Sequence, residues 1–280
     1  MKLFSKDSLI LTIKTIISAV LLYICVLIID WEQFLYAYDR LELRYILLLI
    51  ILFAGTIFVG ALRSVIFFRG MDIRLSYMLN AKLYFIGYFF NNFIPSGVGG
   101  DVMRGWIAGK RSGKMKETYS AILAERLSGL LATVFIALLS LPLTKSPLLI
   151  IYTIIGLNVS LWILMFVLLM PKLIVLMKKY LAWLPFGLAD KLTDFTELVQ
   201  SYKTRPLLVF VGFVVSTLYQ LSIIGVVYAA SYIIAAPITF PEMCVIASIV
   251  WTITMIPITP NAIGLREGSF QYLFVLYGAN

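Results

Sequence analysis

Histidine does not occur anywhere in this 280-residue sequence, and its absence excludes several common kinds of active site. No imidazole is available for acid–base catalysis near neutral pH, for a Ser-His-Asp triad or for a histidine-containing metal centre. Cysteine occurs only twice, at Cys25 and Cys244, within apolar runs where a thiol packs as a small hydrophobic side chain. We therefore expect no disulfide framework, no metal site and no cofactor.

Charge is also scarce: charged residues make up 13% of the sequence, whereas hydrophobic residues make up 61%. This balance lies outside the range of soluble globular proteins. Five apolar runs approach or exceed the roughly 20 residues that a helix needs to cross a bilayer. The sequence therefore predicts an all-α fold, a polytopic membrane helical bundle that forms one domain over residues 1–280. The five runs are Tyr45–Leu62, Leu127–Thr144, Pro147–Met170, Pro206–Pro241 and Met243–Leu265.

The net charge of +9 comes from lysines and arginines that cluster beside the apolar runs. The positive-inside rule assigns such clusters to the cytoplasmic side, so they require no nucleic-acid partner. We expect a multi-pass protein of the cytoplasmic membrane with a cytoplasmic N-terminus, Leu9–Ile29 as a retained first span, and amphipathic surface helices over residues 171–205. The clusters are Lys2–Lys14, Arg63–Lys82, Arg104–Lys116 and Lys172–Arg205. Arg63 and Lys82 are interpreted as interface charges, and the alternative is that either lines a cytoplasmic vestibule.

The apolar stretch Leu83–Gly100 joins two of these basic clusters, so both of its ends are predicted to face the cytoplasm. Its end carries the sequence N-N-F-I-P-S-G-V-G-G-D-V-M-R, which covers Asn91–Arg104. Proline removes a backbone donor there and glycine permits conformations that a regular helix does not use. The sequence predicts a re-entrant helical hairpin at this point; the alternative is a true span that places one basic cluster outside. The breaking residues are Pro95, Gly97, Gly99 and Gly100.

A second break, Pro257–Gly268, repeats part of the first. Both contain the pattern P-x-x-[V/I]-G, with Pro260 and Gly264 in the second, followed by an acid and an arginine. The predicted topology brings the second hairpin in from the opposite side of the membrane. Broken helices of opposite orientation are typical of inverted-repeat transporters. We predict inverted halves near residues 1–143 and 147–280, whose two breaks meet close to the membrane midplane.

Glu125 and Arg126 lie about two turns inside the predicted span Thr118–Leu143. Adjacent helical residues point about 100° apart, so each is expected to have its own partner. Asp101 is the candidate for Arg126, and Arg104 or Arg266 for Glu125; snorkelling at the cytoplasmic interface is the alternative. The full set of predicted substrate-binding residues is Asn91, Asn92, Ser96, Asp101, Arg104, Glu125, Arg126, Asn261, Arg266 and Glu267.

Three motifs together resemble the flippase-like transmembrane family, which includes the membrane region of lysylphosphatidylglycerol synthase. They are Asn91–Arg104, the stretch A-I-L-A-E-R-L-S-G-L at Ala121–Leu130 and the stretch P-N-A-I-G-L-R-E-G-S-F at Pro260–Phe270. The resemblance implies a helical membrane protein that binds or translocates lipid headgroups. It does not carry over synthase activity, because the soluble aminoacyl-transfer domain of the two-part relatives has no counterpart in this sequence.

The sequence thus favours a flippase, not an enzyme, for an anionic or aminoacylated phospholipid or a lipid-linked headgroup. Membrane lipids are the expected partners, and a lipid-synthesising enzyme or a second copy of the chain remain open. One alternative is a membrane glycosyltransferase with a polyprenyl-phosphate donor, since Asp30 and Glu32 form an acidic pair after the first span. Another is a lipid-binding scaffold that transports nothing.

Overall fold

The computed structural model describes residues 6–28, 31–32, 35, 38, 42–93, 99–169, 202, 205–255 and 258–279. The predicted all-α class is confirmed, because every described secondary-structure element is helical. The α-helices are α1 (Lys6–Ile28), α2 (Leu43–Gly70), α3 (Tyr77–Phe93), α4 (Gly99–Ser112), α5 (Met115–Ser140), α6 (Leu148–Leu169), α7 (Pro206–Ile233), α8 (Phe240–Thr254) and α9 (Leu265–Leu276). Short 3₁₀ turns follow α5 at Leu141–Leu143 and precede α9 at Pro260–Ala262.

Within the described ranges, three helices are long and apolar enough to cross a membrane: α2, α5 together with its 3₁₀ extension, and α7. Shorter apolar helical stretches occur in α1, α6 and α8. Large apolar side chains such as Ile51, Leu149 and Leu207 are exposed on the outer faces of these helices. In water such an apolar surface would be costly, whereas a bilayer accommodates it.

Helix α5 is the centre of the bundle and packs against α2, α4, α6, α7 and α8. In its most apolar stretch 61% of the residues are buried inside the protein, compared with 22% for α2 and 28% for α7. Three neighbouring helices donate side-chain hydrogen bonds to its backbone, the kind of polar contact that fixes helix pairs in membranes. These bonds reach Gly129 O from Gln220 Nε2 (3.0 Å), Thr133 O from Ser248 Oγ (2.9 Å) and Val134 O from Asn158 Nδ2 (2.9 Å).

Helices α3 and α4 form an antiparallel hairpin that packs beside α2 and α5. Near its tip, Asn91 Oδ1 accepts a hydrogen bond from the Gly100 amide at 2.8 Å, which caps the start of α4. One turn further along, Gly87 and Gly100 approach so closely that a Cβ on Gly100 would overlap the Gly87 carbonyl. The glycine of the predicted break is therefore required by a backbone-to-backbone contact.

The limits of this hairpin differ from the predicted Leu83–Gly100. Helix α3 begins at Tyr77, and the returning limb α4 extends to Ser112, through much of the predicted basic cluster. The prediction took only the apolar stretch between two basic clusters, but Gly99 and Gly100 form the first turn of α4, which continues through the polar residues that follow. Pro95, Ser96 and Gly97 lie outside the described residues, as does the side chain of Asn92.

The second break lies between α8 and α9, and α9 packs against both α8 and α1. Asn261, Ala262 and Gly264 have positive φ values of 49°, 57° and 82°. Gly264 adopts this conformation without steric cost, whereas Ala262 is strained. Glu267 Oε2 accepts a hydrogen bond from the Gly264 amide at 2.7 Å and so caps α9. Pro257 lies outside the described residues.

Of the predicted surface segment 171–205, the structure describes Tyr202 and Arg205, and the amphipathic helices themselves lie outside the described residues. The Tyr202 hydroxyl donates to the Phe67 carbonyl at 2.8 Å, and Arg205 Nη2 pairs with both carboxylate oxygens of Asp72 at 2.9 and 3.0 Å. Burial raises the pKa of the Tyr202 phenol, so it stays protonated as a donor. These contacts attach the start of α7 to the end of α2.

The glycine contact within the hairpin generates a test of its packing. Gly100→Ala is expected to lower the free energy of unfolding by about 1–3 kcal/mol, because the added methyl group must push α3 and α4 apart. Thermal unfolding of the purified protein in detergent measures this change. Gly156→Ala in α6 is the matched control, since a Cβ there meets no atom within 4 Å. Equal unfolding temperatures for the two variants would contradict the assigned contact.

Candidate functional site

A buried carboxylate, Glu125 on α5, lies at the centre of a charged network inside the bundle. Its side chain is 1% exposed. Arg63 Nη2 of α2 donates to Oε1 at 3.0 Å, and Arg104 Nη2 of α4 donates to Oε2 at 3.1 Å. The Tyr84 hydroxyl of α3 donates to Oε1 as well. One carboxylate therefore joins four helices, and its hydrogen bonds offset the cost of removing it from water.

Asp101, in the first turn of α4, extends the network toward the surface. Its Oδ1 accepts from Arg104 Nη1 at 3.2 Å, and its Oδ2 accepts from Arg126 Nε. The pairs Asp101–Arg126 and Arg104–Glu125, both predicted from the sequence, are thus present. Glu125 and Arg126 are neighbours in sequence but point to different partners, as the 100° step of the helix requires.

The network carries an excess of positive charge. Among the described residues, three guanidinium groups, from Arg63, Arg104 and Arg126, pair with the two carboxylates of Asp101 and Glu125, so this group of five carries a net charge of +1. Charged groups inside a membrane protein are costly and commonly mark a binding or transport site. The sign of this excess favours an anion.

Both inner arginines keep unused hydrogen-bond donors. Nε and Nη1 of Arg63 and Nε of Arg104 are buried, and no described atom accepts from them. Their planes lie over tyrosine rings instead, Arg63 at 4.3 Å from the Tyr219 centroid and Arg104 at 4.0 Å from the Tyr84 centroid. Stacking of this kind stabilises the cations and holds their planar forks in position. Buried donors without acceptors are rare, and here they lie beside an open space.

That space is a cavity of about 170 Å³ between α2, α3, α4, α5 and α7. Because a water molecule occupies about 30 Å³ of liquid, the cavity has room for a phosphate-sized group but not for a whole lipid. Glu125 lies at its closed end, whereas Arg126, 35% exposed, lies at its open end. The lining residues are Arg63, Tyr84, Gly87, Tyr88, Asn91, Asp101, Arg104, Glu125, Arg126 and Tyr219.

The predicted residues of the second break, Asn261, Arg266 and Glu267, are not among the described residues that line this cavity. Arg266 and Glu267 pair with each other at 2.8 Å, with side chains 46% and 40% exposed. Asn261 lies in the 3₁₀ turn before α9 and is partly buried. Asn91 lines the cavity while it caps α4. The structure therefore brings Asn91, Asp101, Arg104, Glu125 and Arg126 together but does not add Arg266 or Glu267 to that group.

Sequence reasoning missed five of the residues that line the cavity, namely Arg63, Tyr84, Gly87, Tyr88 and Tyr219. Arg63 was interpreted as an interface charge, but it is 6% exposed and binds Glu125. Its signal was its place late in the long apolar helix α2, where a cation needs a buried partner. Tyr84 and Tyr219 carried no comparable signal, because tyrosines in apolar helices more often form packing contacts or interfacial belts.

The central carboxylate generates a stability prediction. Glu125→Gln removes the carboxylate that pairs with Arg63 and leaves Arg104 with Asp101 as its counter-charge, so we expect the protein to lose about 3–5 kcal/mol of stability. Thermal unfolding in detergent measures the stability of Glu125→Gln relative to wild type and to a control variant. Glu42→Gln is the matched control, because Glu42 is 55% exposed and its pair with Arg44 contributes at most about 1 kcal/mol. A Glu125→Gln protein as stable as the control would refute the structural role.

Comparison with known proteins identifies the family of this chain. No curated protein and no solved structure matches it significantly. One family model, described as "Lysylphosphatidylglycerol synthase TM region", matches residues 11–280, and so it covers both breaks and the buried charged network. The chain is therefore a membrane protein that belongs to the family of the transmembrane region of lysylphosphatidylglycerol synthase.

Proposed function

We propose that this protein translocates the headgroup of an anionic or aminoacylated phospholipid, or a related lipid-linked headgroup, across the cytoplasmic membrane. The observation that carries the proposal is the group of three arginines and two carboxylates, with a net charge of +1 among these five described residues, that borders a cavity inside an otherwise apolar bundle. A headgroup needs such a polar environment to leave the interface, while its acyl chains stay in the bilayer. The family description supports a lipid with a phosphatidylglycerol-type headgroup.

The chemistry of the lining fits a phosphodiester. Guanidinium groups bind phosphate oxygens through planar, paired N–H donors, and their charge does not change at physiological pH. Arg126 at the open end meets the headgroup first, and Arg104 and Arg63 offer further donors deeper in the cavity. The hydroxyls of Tyr88 and Tyr219, 2.8 Å apart, belong to two further residues that line the cavity and supply neutral hydrogen-bonding groups.

The proposed path follows the α3–α4 hairpin. In this scheme the N-terminus is cytoplasmic, the hairpin enters and leaves on the cytoplasmic side, and α8 with α9 forms its counterpart from outside. The hairpin limbs contain 17 and 14 residues, shorter than the 20 or so that a full span requires. Polar or broken backbone at membrane depth is tolerated where it lines a cavity, which agrees with the position of the cavity beside this hairpin.

The proposed role is transport and not catalysis. Movement of a headgroup between leaflets needs no cofactor. A separate enzyme that synthesises the lipid is the natural functional partner. Lipid binding without transport, as in a scaffold, uses the same cavity but moves no headgroup. The two roles therefore differ in one measurable quantity, the rate of transfer between leaflets.

Measuring the rate of lipid transfer between leaflets tests the proposed transport directly. Purified protein in liposomes that contain fluorescent phosphatidylglycerol should speed transfer between leaflets, and Arg126→Gln should slow it at least about tenfold, because a charge-assisted phosphate contact is lost. Arg44→Gln is the matched control: it also removes one arginine, but from an exposed pair outside the cavity. Transfer that is absent in all three proteins would favour the scaffold. Equal loss in both variants would point to an effect of charge alone.

The predicted meeting of the two breaks is tested by crosslinking. In a protein with Cys25 and Cys244 replaced by alanine, Ser96→Cys and Asn261→Cys should form a disulfide in membranes on mild oxidation. Inverted repeats bring their broken helices together at the substrate site, which is the reason to expect the bond. Ser96→Cys with Thr153→Cys on the exposed face of α6 serves as the control pair. Crosslinking no faster than in the control would reject the shared site.

A further inference from the structure

The two carboxylates of the network are held in different ways. Glu125 accepts from three side chains and is 1% exposed, so it is part of the buried frame. Asp101 accepts one N–H on each oxygen, from Arg104 and Arg126, and it is 17% exposed at the open end of the cavity. Of the two, Asp101 is the one that an incoming group reaches first.

The arrangement around Asp101 is also one that a phosphodiester can reproduce. A phosphodiester carries a single negative charge on two equivalent oxygens bound to one atom, and a carboxylate does the same. Arg104 Nη1 and Arg126 Nε each donate to a different oxygen of Asp101. These donors suit a phosphate equally well, because charge-assisted bonds to guanidinium form with either anion.

We propose that Asp101 is an internal competitor that occupies the phosphate-binding arginines when no lipid is bound and that the headgroup phosphate displaces it. The inference rests on the proposed function and refines it. Asp101 does not hold the substrate but opposes its binding, and the phosphodiester binds Arg104 and Arg126 in its place. This assigns Asp101 a role opposite to that of the neighbouring arginines.

The charge balance explains why such a competitor is useful. The Asp101 carboxylate places one negative charge against Arg104 and Arg126 at the open end of the cavity, and its removal would make this end more positive by one unit. Such a site would attract any small anion. The start of α4, where Asp101 lies, adds a partial positive charge of its own. With Asp101 in place, an anion gains only the difference between its own contacts and those that it replaces.

The side chain can leave without dismantling the hairpin. The cap of α4 is made by Asn91 to the Gly100 amide, not by Asp101, and the Gly87–Gly100 contact does not involve it. Arg104 keeps its bonds to Glu125 and to Ser64 Oγ, the latter at 3.1 Å. Displacement of Asp101 therefore changes the two donors nearest the opening and leaves the inner frame intact.

The test is a binding measurement on the purified full-length protein in nanodiscs made of zwitterionic lipid. Isothermal titration calorimetry with glycerophosphoglycerol, the deacylated headgroup of phosphatidylglycerol, compares wild type with Asp101→Asn. The amide keeps the shape of the side chain but competes poorly for arginine, so the dissociation constant should fall about tenfold. Glu42→Gln, which removes the same charge from an exposed site, should bind like wild type. The double variant Asp101→Asn with Arg126→Gln should lose the gain in affinity that Asp101→Asn alone produces.

The possible outcomes separate the competitor role of Asp101, the assignment of a lipid headgroup and the proposed transport function. Unchanged or weaker binding by Asp101→Asn, while the wild type binds the headgroup and moves lipid in liposomes, would overturn the competitor role and leave the transport proposal standing. A gain for inorganic phosphate but not for glycerophosphoglycerol would overturn the assignment of a lipid headgroup. No binding by any variant, together with no lipid transfer, would overturn the proposed function and this inference with it.

Discussion

The carboxylate of Glu125 is the interaction on which the site depends. It pairs with two arginines that come from different helices, and it does so where no bulk water is available to replace it. Arg63, Arg104 and Tyr84 converge because each donates to this one acceptor group. The positions of α2, α3 and α4 around α5 are thus set by a charge in the interior as well as by apolar packing. Burial of paired charges is costly, and a bundle retains such a group when its position has a function.

The sequence indicated much of this arrangement because rare residues in an apolar context carry strong signals. Glu125 and Arg126 were conspicuous within an apolar helix, and the step between adjacent helical residues required separate partners for them. The glycines and the following Asp101 and Arg104 marked the hairpin for similar reasons. The all-α membrane class followed directly from the length of the apolar runs.

The parts that could not be predicted depend on which helices become neighbours. Arg63 lies 62 residues from Glu125, and Tyr219 lies on α7, in the other half of the chain. Nothing local in either segment specifies that they share a cavity. Arg266 and Glu267 show the converse: their composition resembles that of the first break, but Glu267 caps its own helix and pairs with Arg266. Similar motifs can therefore serve local capping in one place and a buried network in the other.

The close approach of Gly87 and Gly100 has a mechanical consequence. Side chains that interdigitate resist sliding of one helix along another, but two bare backbones in contact present a smooth surface. At this point the contacts that join the two hairpin limbs are the bond from the Gly100 amide to Asn91 at the tip and the stacking of Arg104 on the Tyr84 ring further down. The register of α4 against α3 is consequently coupled to the charges around Arg104. A change in those charges therefore shifts one limb of the hairpin along the other.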